Sequence, residues 1–377
     1  MAIAIDNPPE ELVQAQAEGR VIPFVGAGLS TGLGLPSWSA LLEAIAAKIP
    51  DLPAFDEIRQ ACGDDPLKIA EYLFIAGGNE IGPLRQKISD LISRPDLDPS
   101  VSHPHVELVN LFASRIYTTN YDDLIERTFA ALGIKYQLIA NARHISRVQG
   151  DRPQIVKFHG DLQWENSLVF TESSYFERLQ FESPIDIKLR SDLLGNSVLF
   201  LGYGFSDTNV RVMWHRLMSM MKGVDPAERP QSFIVRMRRD RVREQLDEAV
   251  GIRTVVLTDA LDSDLSRRLG LFLALLAERG GAGREQRRFL STGVLETLHA
   301  SLANGGRGDT AERQALDRLS SGRMPIGIKD RVEALIDDSK SYDSPFAGEV
   351  LTLLSALYAL EFGDPGDGSP ATGEDDG

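Results

Sequence analysis

Cysteine is nearly missing from this chain: Cys62 stands alone in 377 residues. No internal disulfide can form, and a zinc site built from paired thiolates lacks its ligands. Long apolar runs are absent as well. No stretch of about 18 or more uncharged apolar residues occurs, so no membrane span is expected. The opening MAIAIDNPPEELVQ has neither a basic start nor a long apolar centre, so a secretory signal is not expected either. A cytoplasmic location is the default that follows. Basic residues are outnumbered, 40 against 55 acidic, for a formal net charge of -15. A net anion gains nothing from meeting a polyanion, which argues against direct nucleic-acid binding by the chain as a whole. Part of that charge is local: the tail EFGDPGDGSPATGEDDG carries six acids and no base, a composition that reads as disorder. The opposite bias occurs in RMRRDRVREQ, where Arg236, Arg238, Arg239, Arg241 and Arg243 crowd together. That run reads as a solvated helix face or as a contact with a phosphate or a partner chain.

What is present suffices for a sizeable core, since 42% of the residues are apolar. Residues 8 to 20 read as a helix, VIPFV (21–25) as a buried strand, and SWSALLEAIAAKI as a helix capped by Ser37. From about 40 to 113 the patterns are helical and form an expected insertion before the strand RIYTT. KYQLIA, PQIVKFHG, NSVLFLGYG, QSFIVRM and IRTVVLT read as further strands with helical segments between them. This alternation predicts an α/β, Rossmann-like, mainly parallel sheet with helices on both faces and a ligand at the carboxyl ends of its strands. The expected organisation is a catalytic domain over 1–282, a C-terminal helical region over 283–362 and an acidic disordered tail over 363–377.

Chemistry-bearing residues fall at four strand ends. After VIPFV come Gly26, Ala27, Gly28, Leu29 and Ser30, where absent side chains would let a diphosphate approach backbone N–H groups, although such a turn is also a plain strand-to-helix connection. YTTNYDDL places Asn120, able to orient a water or ribose hydroxyl, beside Asp122, which can hold the loop; helix capping is the simpler alternative. In IVKFHGDL, His159 is the one histidine that follows a buried strand, the position for proton transfer or for a purely structural imidazole; Gly160 is expected to leave space beside its ring. LFLGYGFSDTNV again exposes backbone at Gly202 and Gly204, with Asp207 able to cap a helix or accept from a ribose hydroxyl.

Taken in order, these residues resemble the sirtuin superfamily and its bacterial sirtuin-like, Sir2-type branch in antiphage defence. GAGLS is similar to that family's GAG-x-S nucleotide cradle, GLPSW to its nicotinamide loop, TTNYD to T-x-N-[IY]-D, KFHGD to the catalytic H-G and GYGFSD to a later glycine loop. The match covers roughly residues 10 to 260. Sirtuin deacylases carry a four-cysteine zinc module, which a chain with Cys62 alone cannot build, and GLPSW lacks the Arg that follows in many of them.

The resemblance therefore implies hydrolysis of NAD+ to nicotinamide and ADP-ribose, with NAD as substrate and no metal. It assigns Gly26, Ala27, Gly28 and Ser30 to the diphosphate, Asn120 and Asp122 to the water or ribose, His159 to general base catalysis, and Gly202, Gly204 and Asp207 to the adenosine ribose. It also implies NAD depletion in antiphage defence by an oligomer, with a HerA-like ATPase as partner. Two other functions compete: a non-catalytic sensor of NAD, ADP-ribose or a related nucleotide, and an NAD-dependent protein deacylase.

Overall fold

The computed structural model describes residues 3–4, 7–150, 152–164, 167–205, 207–225, 228–258, 265–281, 288–306 and 310–362. Its centre is one sheet of eight strands: β1 (Ile3–Ala4), β2 (Val21–Val25), β3 (Arg115–Thr118), β4 (Gln137–Ile139), β5 (Gln154–Lys157), β6 (Ser197–Leu201), β7 (Ser232–Arg238) and β8 (Ile252–Thr258). Their order is β1-β8-β7-β6-β2-β3-β5-β4, and every neighbouring pair is parallel. The chain leaves β2 for β3 on one side and later returns to its other side as β6. That makes the β2 edge the topological switch point, where ligands of such sheets bind.

Helices cover both faces, so central strands are buried at every position instead of on alternate ones. VIPFV and SVLFL are fully buried runs. Pro23 sits in this central strand although it lacks an N–H; the recorded pairing of β2 with β3 starts only at Phe24, opposite Tyr117. On one face Val21, Val25, Leu201 and Val255 pack against Leu12, Val106, Phe272 and Leu276. On the other, Ile22, Phe24, Phe200 and Ile234 meet Ile185, Leu189, Trp214 and Leu217. Fully burying a side chain of this size contributes about 1.5–3 kcal/mol.

Between β2 and β3 the helices Trp38–Ala46, Phe55–Ala61, Pro66–Ala76 and Ile81–Ile92 build a core of their own around Leu42, Ile45, Leu73 and Ile88, and it reaches the sheet through Tyr121 and Phe170. Ser37 and Asp65 start two of these helices by accepting N–H bonds from Ala40 and Leu67. The next helix, His103–Asn110, instead covers the sheet, where Val106, Leu108 and Val109 join the first face's core.

Four C-terminal helices, Thr292–Ala303, Thr310–Ser321, Lys329–Ser339 and Pro345–Phe362, share another core built on Leu298, Leu319, Val332, Leu335, Val350 and Leu354. The last has the length and mean hydropathy, 1.2, of a membrane span. It carries Glu349 and Glu361, however, and turns Ala347, Val350, Leu354, Leu357 and Tyr358 into the core. The expected acidic tail, 363–377, lies outside the described residues.

Two local features depart from the sequence reading. β1 was not anticipated, because two residues show no periodicity; it pairs Ile3 with Val255. Arg236 and Arg238 belong to β7, and the arginine-rich helix begins only at Arg241. Arg236 faces inward and holds Asp247 through two bonds of 2.7 Å each.

Candidate active site

The carboxyl ends of β2, β3, β5 and β6 converge on one cavity of about 410 Å³. Its wall includes Ala27, Ser30, Asn120, Asp122, His159, Tyr175, Gly202, Gly204 and Asp207. Leu35, Pro36 and Trp38 of the GLPSW segment line it as well. Of the residues that the resemblance assigned to the substrate, Gly26 and Gly28 stand apart from this wall.

Asn120 is set by its own strand: its N–H donates to Thr118 Oγ1 at 3.0 Å. Its side-chain Nδ2 donates to Gly26 O at 3.2 Å and to Ser30 Oγ at 3.1 Å. Both amide hydrogens are thereby committed, and the carbonyl Oδ1 remains as the acceptor for a water or hydroxyl. Ser30 passes the chain on, donating to Asp122 Oδ2 at 2.8 Å, while Asp122 Oδ1 accepts the Leu124 N–H at 3.2 Å. Burial pushes the Asp122 carboxyl above its usual range, partly offset by Lys157 and the Ser30 hydroxyl.

His159 is buried, 3% exposed, with Nε2 3.1 Å from Asp207 Oδ2 but off the line of a hydrogen bond. The Tyr175 hydroxyl lies 3.3 Å from Nδ1 and donates to Asp207 Oδ2 at 3.0 Å. Imidazole, phenol and carboxylate thus form a closed triangle. Burial opposes ionisation of Asp207, but His159, the Val210 N–H and the Tyr175 hydroxyl outweigh it and hold the carboxyl below its usual range. Asp207 also caps the helix Thr208–Met220 through Val210. The structure therefore places Asp207 against the imidazole.

The glycines serve a packing role that the sequence did not suggest. A Cβ on Gly26 would come within 2.6 Å of Gly202 O, and one on Gly28 within 2.7 Å of the same atom. Gly202, at φ +57°, would drive a Cβ to 2.3 Å from Leu29 N. Two turns are packed backbone on backbone, and side chains would separate them. The N–H groups of Gly26 and Gly28 accordingly bond to Leu201 O and Gly202 O, both at 2.9 Å, and do not wait for an anion. Gly160 likewise does not make room for the imidazole: at φ +83° its missing Cβ would meet Ser167 O at 1.9 Å.

Lys157 and Tyr175 were missed in the sequence. The Lys157 side chain is 1% exposed, and its Nζ sits 2.8 Å from Glu126 Oε1 and 3.3 Å from Asp161 Oδ2. It also donates to the carbonyls of Asp122 at 2.5 Å and Tyr121 at 3.3 Å. Burial works against its charge, but Glu126 and Asp161 overcome that and hold its pKa well above the usual lysine range. One ammonium group therefore ties the Asn120 turn to the His159 turn. A lysine inside the apolar run IVKF was the available signal. Tyr175 lies in ESSYFE and carries no comparable signal.

A second cavity, about 830 Å³, adjoins the first and shares Gly202, Tyr203 and Gly204 with it. Gly28 and the end of β7 line it. On the wall of the first cavity, the buried Tyr203 Oη and His159 Nε2 have no hydrogen-bond partner among the described residues. Orphaned groups of this kind call for a polar ligand or water, and a nucleotide supplies many such contacts. Among the described residues no group of three His, Cys, Asp or Glu side chains is placed to hold a metal ion.

The chain is similar to known proteins. Residues 114–255 match the model of the SIR2-like domain. The chain is 30% identical over 227 residues to NAD(+) hydrolase ThsA of Enterococcus faecium, covering 59% of this chain and 44% of that protein. It is 27% identical over 214 residues to NAD(+) hydrolase ThsA of Cytobacillus dafuensis, covering 56% and 41%. Defense-associated sirtuin 2 of Bacillus subtilis is 22% identical over 281 residues, covering 71% of this chain and 26% of that protein. The chain spans less than half the length of these curated relatives. Strand ends, parallel sheet and cavity agree with that similarity to the SIR2-like domain, which covers residues 114–255.

Proposed function

We propose that this chain hydrolyses NAD+ at the bond between nicotinamide and ribose, releasing nicotinamide and ADP-ribose. The observation that supports this most is that Asn120 and His159, from different strands, line one cavity and are anchored to each other's turns by Lys157. The nicotinamide nitrogen of NAD+ carries positive charge. When the C1′–N bond breaks, its electron pair stays with the ring, which leaves as a neutral molecule, and C1′ takes oxocarbenium character. Such a reaction needs positioning and a base more than an acid at the leaving group.

In this reading Asn120 Oδ1 accepts a hydrogen from the attacking water and aims its oxygen at C1′. His159 takes the water's proton as the C–O bond forms, and the Asp207 carboxylate, 3.1 Å away, stabilises the imidazolium. A base so placed is worth roughly 10² to 10⁴ in rate. Tyr175 holds the other edge of the ring. Asp122 and Ser30 fix the Asn120 turn. Gly26, Gly28 and Gly202 keep the rim thin, and a dinucleotide occupying both cavities would cross it at Gly202–Gly204.

The names of the matched relatives, NAD(+) hydrolase and defense-associated sirtuin, support a role in defence by NAD depletion. Self-assembly and a HerA-like ATPase partner rest on the sequence resemblance.

Incubating the full chain with NAD+ and following nicotinamide and ADP-ribose tests the reading. Hydrolysis without a peptide is expected, and His159→Ala and Asn120→Ala should each abolish it with unchanged circular dichroism. Binding without products would make the chain a sensor. Turnover that requires an acylated peptide would make it a deacylase. Normal turnover in both variants would remove the mechanism.

A further inference from the structure

Tyr121, Tyr175 and Tyr203 all line the catalytic cavity, but their hydroxyls are not in the same state. Tyr121 Oη donates to Val169 O at 2.5 Å, and Tyr175 Oη donates to Asp207 Oδ2 at 3.0 Å. Both are spent inside the protein. Tyr203 Oη is buried and bonds to none of the described residues.

The Tyr203 ring is nonetheless firmly set. It stacks on Phe200 with centroids 5.6 Å apart and meets Phe24 edge-on at 5.2 Å. A Cβ placed on Gly26 would lie 2.6 Å from its Cδ2, so the ring rests on the bare backbone of the β2 turn. A phenylalanine would fill this aromatic niche as well, without a buried hydroxyl that costs free energy while it is unpaired. The hydroxyl is therefore to be understood from what reaches it when the cavity is filled.

Its surroundings say which kind of atom that is. Burial, reinforced by the Asp207 carboxylate, pushes the phenol pKa well above its usual range, so the group is a neutral donor. The charge that acts on it is negative, and a phosphate oxygen brought there would be repelled by Asp207. A sugar hydroxyl carries no charge, accepts from the phenol and can still donate to a carboxylate. Asp207 also lies 3.1 Å from His159, so the sugar in question is the one beside the imidazole.

We propose that Tyr203 is a specificity residue of the catalytic cavity: its hydroxyl donates to a hydroxyl oxygen of the ribose that bears the nicotinamide, and so recognises the sugar end of the dinucleotide and not its diphosphate. This rests on the hydrolase reading, which places that ribose beside His159.

Calorimetry of the full chain with ADP-ribose, which keeps this ribose, and with ADP, which lacks it, tests the contact apart from turnover. Tyr203→Phe should weaken ADP-ribose about tenfold and leave ADP within about twofold. The ligand-free variant should unfold at the same urea concentration as the native chain or a higher one, because no internal bond is lost. Equal weakening of both ligands would move the hydroxyl to the diphosphate, and unchanged affinities would leave it without a ligand; either overturns the proposal while the hydrolase reading stands on its own assay. A variant that unfolds at clearly lower urea would show that the hydroxyl serves the fold, which also overturns it. Selective loss of ADP-ribose binding, with a native chain that releases no nicotinamide, would uphold the contact and sink the hydrolase. If the native chain binds neither ligand, the contact falls.

Discussion

Two buried ion clusters can be set side by side, one beneath the strand ends and one where the C-terminal helices dock. Lys157 anchors the first, holding two carboxylates and two main-chain carbonyls contributed by two turns and a helix. Glu107 anchors the second and is fully buried. Both of its oxygens lie 2.9 Å from Arg318, and it accepts from Asn110 at 2.9 Å and Ser291 at 2.7 Å. Burial opposes its ionisation, but Arg318, His103, Asn110 and Ser291 outweigh that and keep it charged. The chemistry is alike, but the wiring differs. Lys157 joins the turns that carry Asn120 and His159, whereas Glu107 joins helices that do not line the catalytic cavity. A buried charge is weak evidence for net stability, so each is better read by what it positions: the catalytic turns in one case, the docking of a helical region in the other.

Breaking the first cluster should have the largest effect. Lys157→Met strands Glu126 and Asp161, which is expected to lower stability by about 3–5 kcal/mol in urea unfolding. It should also cut nicotinamide release by about 100-fold or more, because the Asn120 and His159 turns lose their common anchor. Adding Glu126→Gln should return part of the stability but not the turnover. A double variant as active as the native chain would show that Lys157 is only a structural counter-ion.

Breaking the second cluster should separate the two properties. Arg318→Met leaves Glu107 uncompensated and is expected to destabilise by about 3 kcal/mol, at the lower end for a broken buried pair. Nicotinamide release per folded molecule should stay within about twofold, since cavity and cluster share no residue and distant effects are close to additive. A large loss of activity in a folded variant would mean that the docked helices control the site.

The comparison also marks what the sequence could disclose. VIPFV and NSVLFLGYG were legible as strands because burial on both faces leaves an uninterrupted apolar run. Asn120 and His159 were legible because a parallel sheet delivers the ends of its strands to one edge. The purpose of the glycines was not. Local sequence shows that a side chain is absent at Gly28 but not that Gly202, far along the chain, fills the space. Asp207 was legible as a helix cap, but its contact with His159 was not, because that contact depends on where the β6 turn meets the β5 turn. Tyr175 was not found, because nothing in ESSYFE distinguishes a wall of the cavity from any amphipathic turn. The Glu107–Arg318 pair spans elements whose docking no local pattern encodes.

Acid should sharpen the comparison with the smallest effect. His105, on the same helix as Glu107, is fully buried with Nδ1 2.8 Å from Ser102 Oγ. Burial lowers its pKa from 6.5 to about 4. His103, held between Gly270 and Gly293, is shifted downward by the same cause. A depressed histidine pKa means that the unfolded chain binds the proton first, so stability present above pH 6.5 is lost as pH falls toward about 4. His105 alone accounts for up to about 3 kcal/mol over that window. The site cluster responds differently: burial raises the pKa of Asp122 and Glu126, so the folded state takes up their protons and opposes the loss. Asp207, held low, becomes a liability only at more acid pH, below its usual range. Urea unfolding at pH 7 and at pH 4.5 should therefore show a drop in the native chain that is clearly smaller in His105→Gln, which keeps a polar partner for Ser102 but cannot take up a proton in this range. An undiminished drop in that variant would remove His105 as its source and leave His103 and Glu107, whose pKa values are also held low.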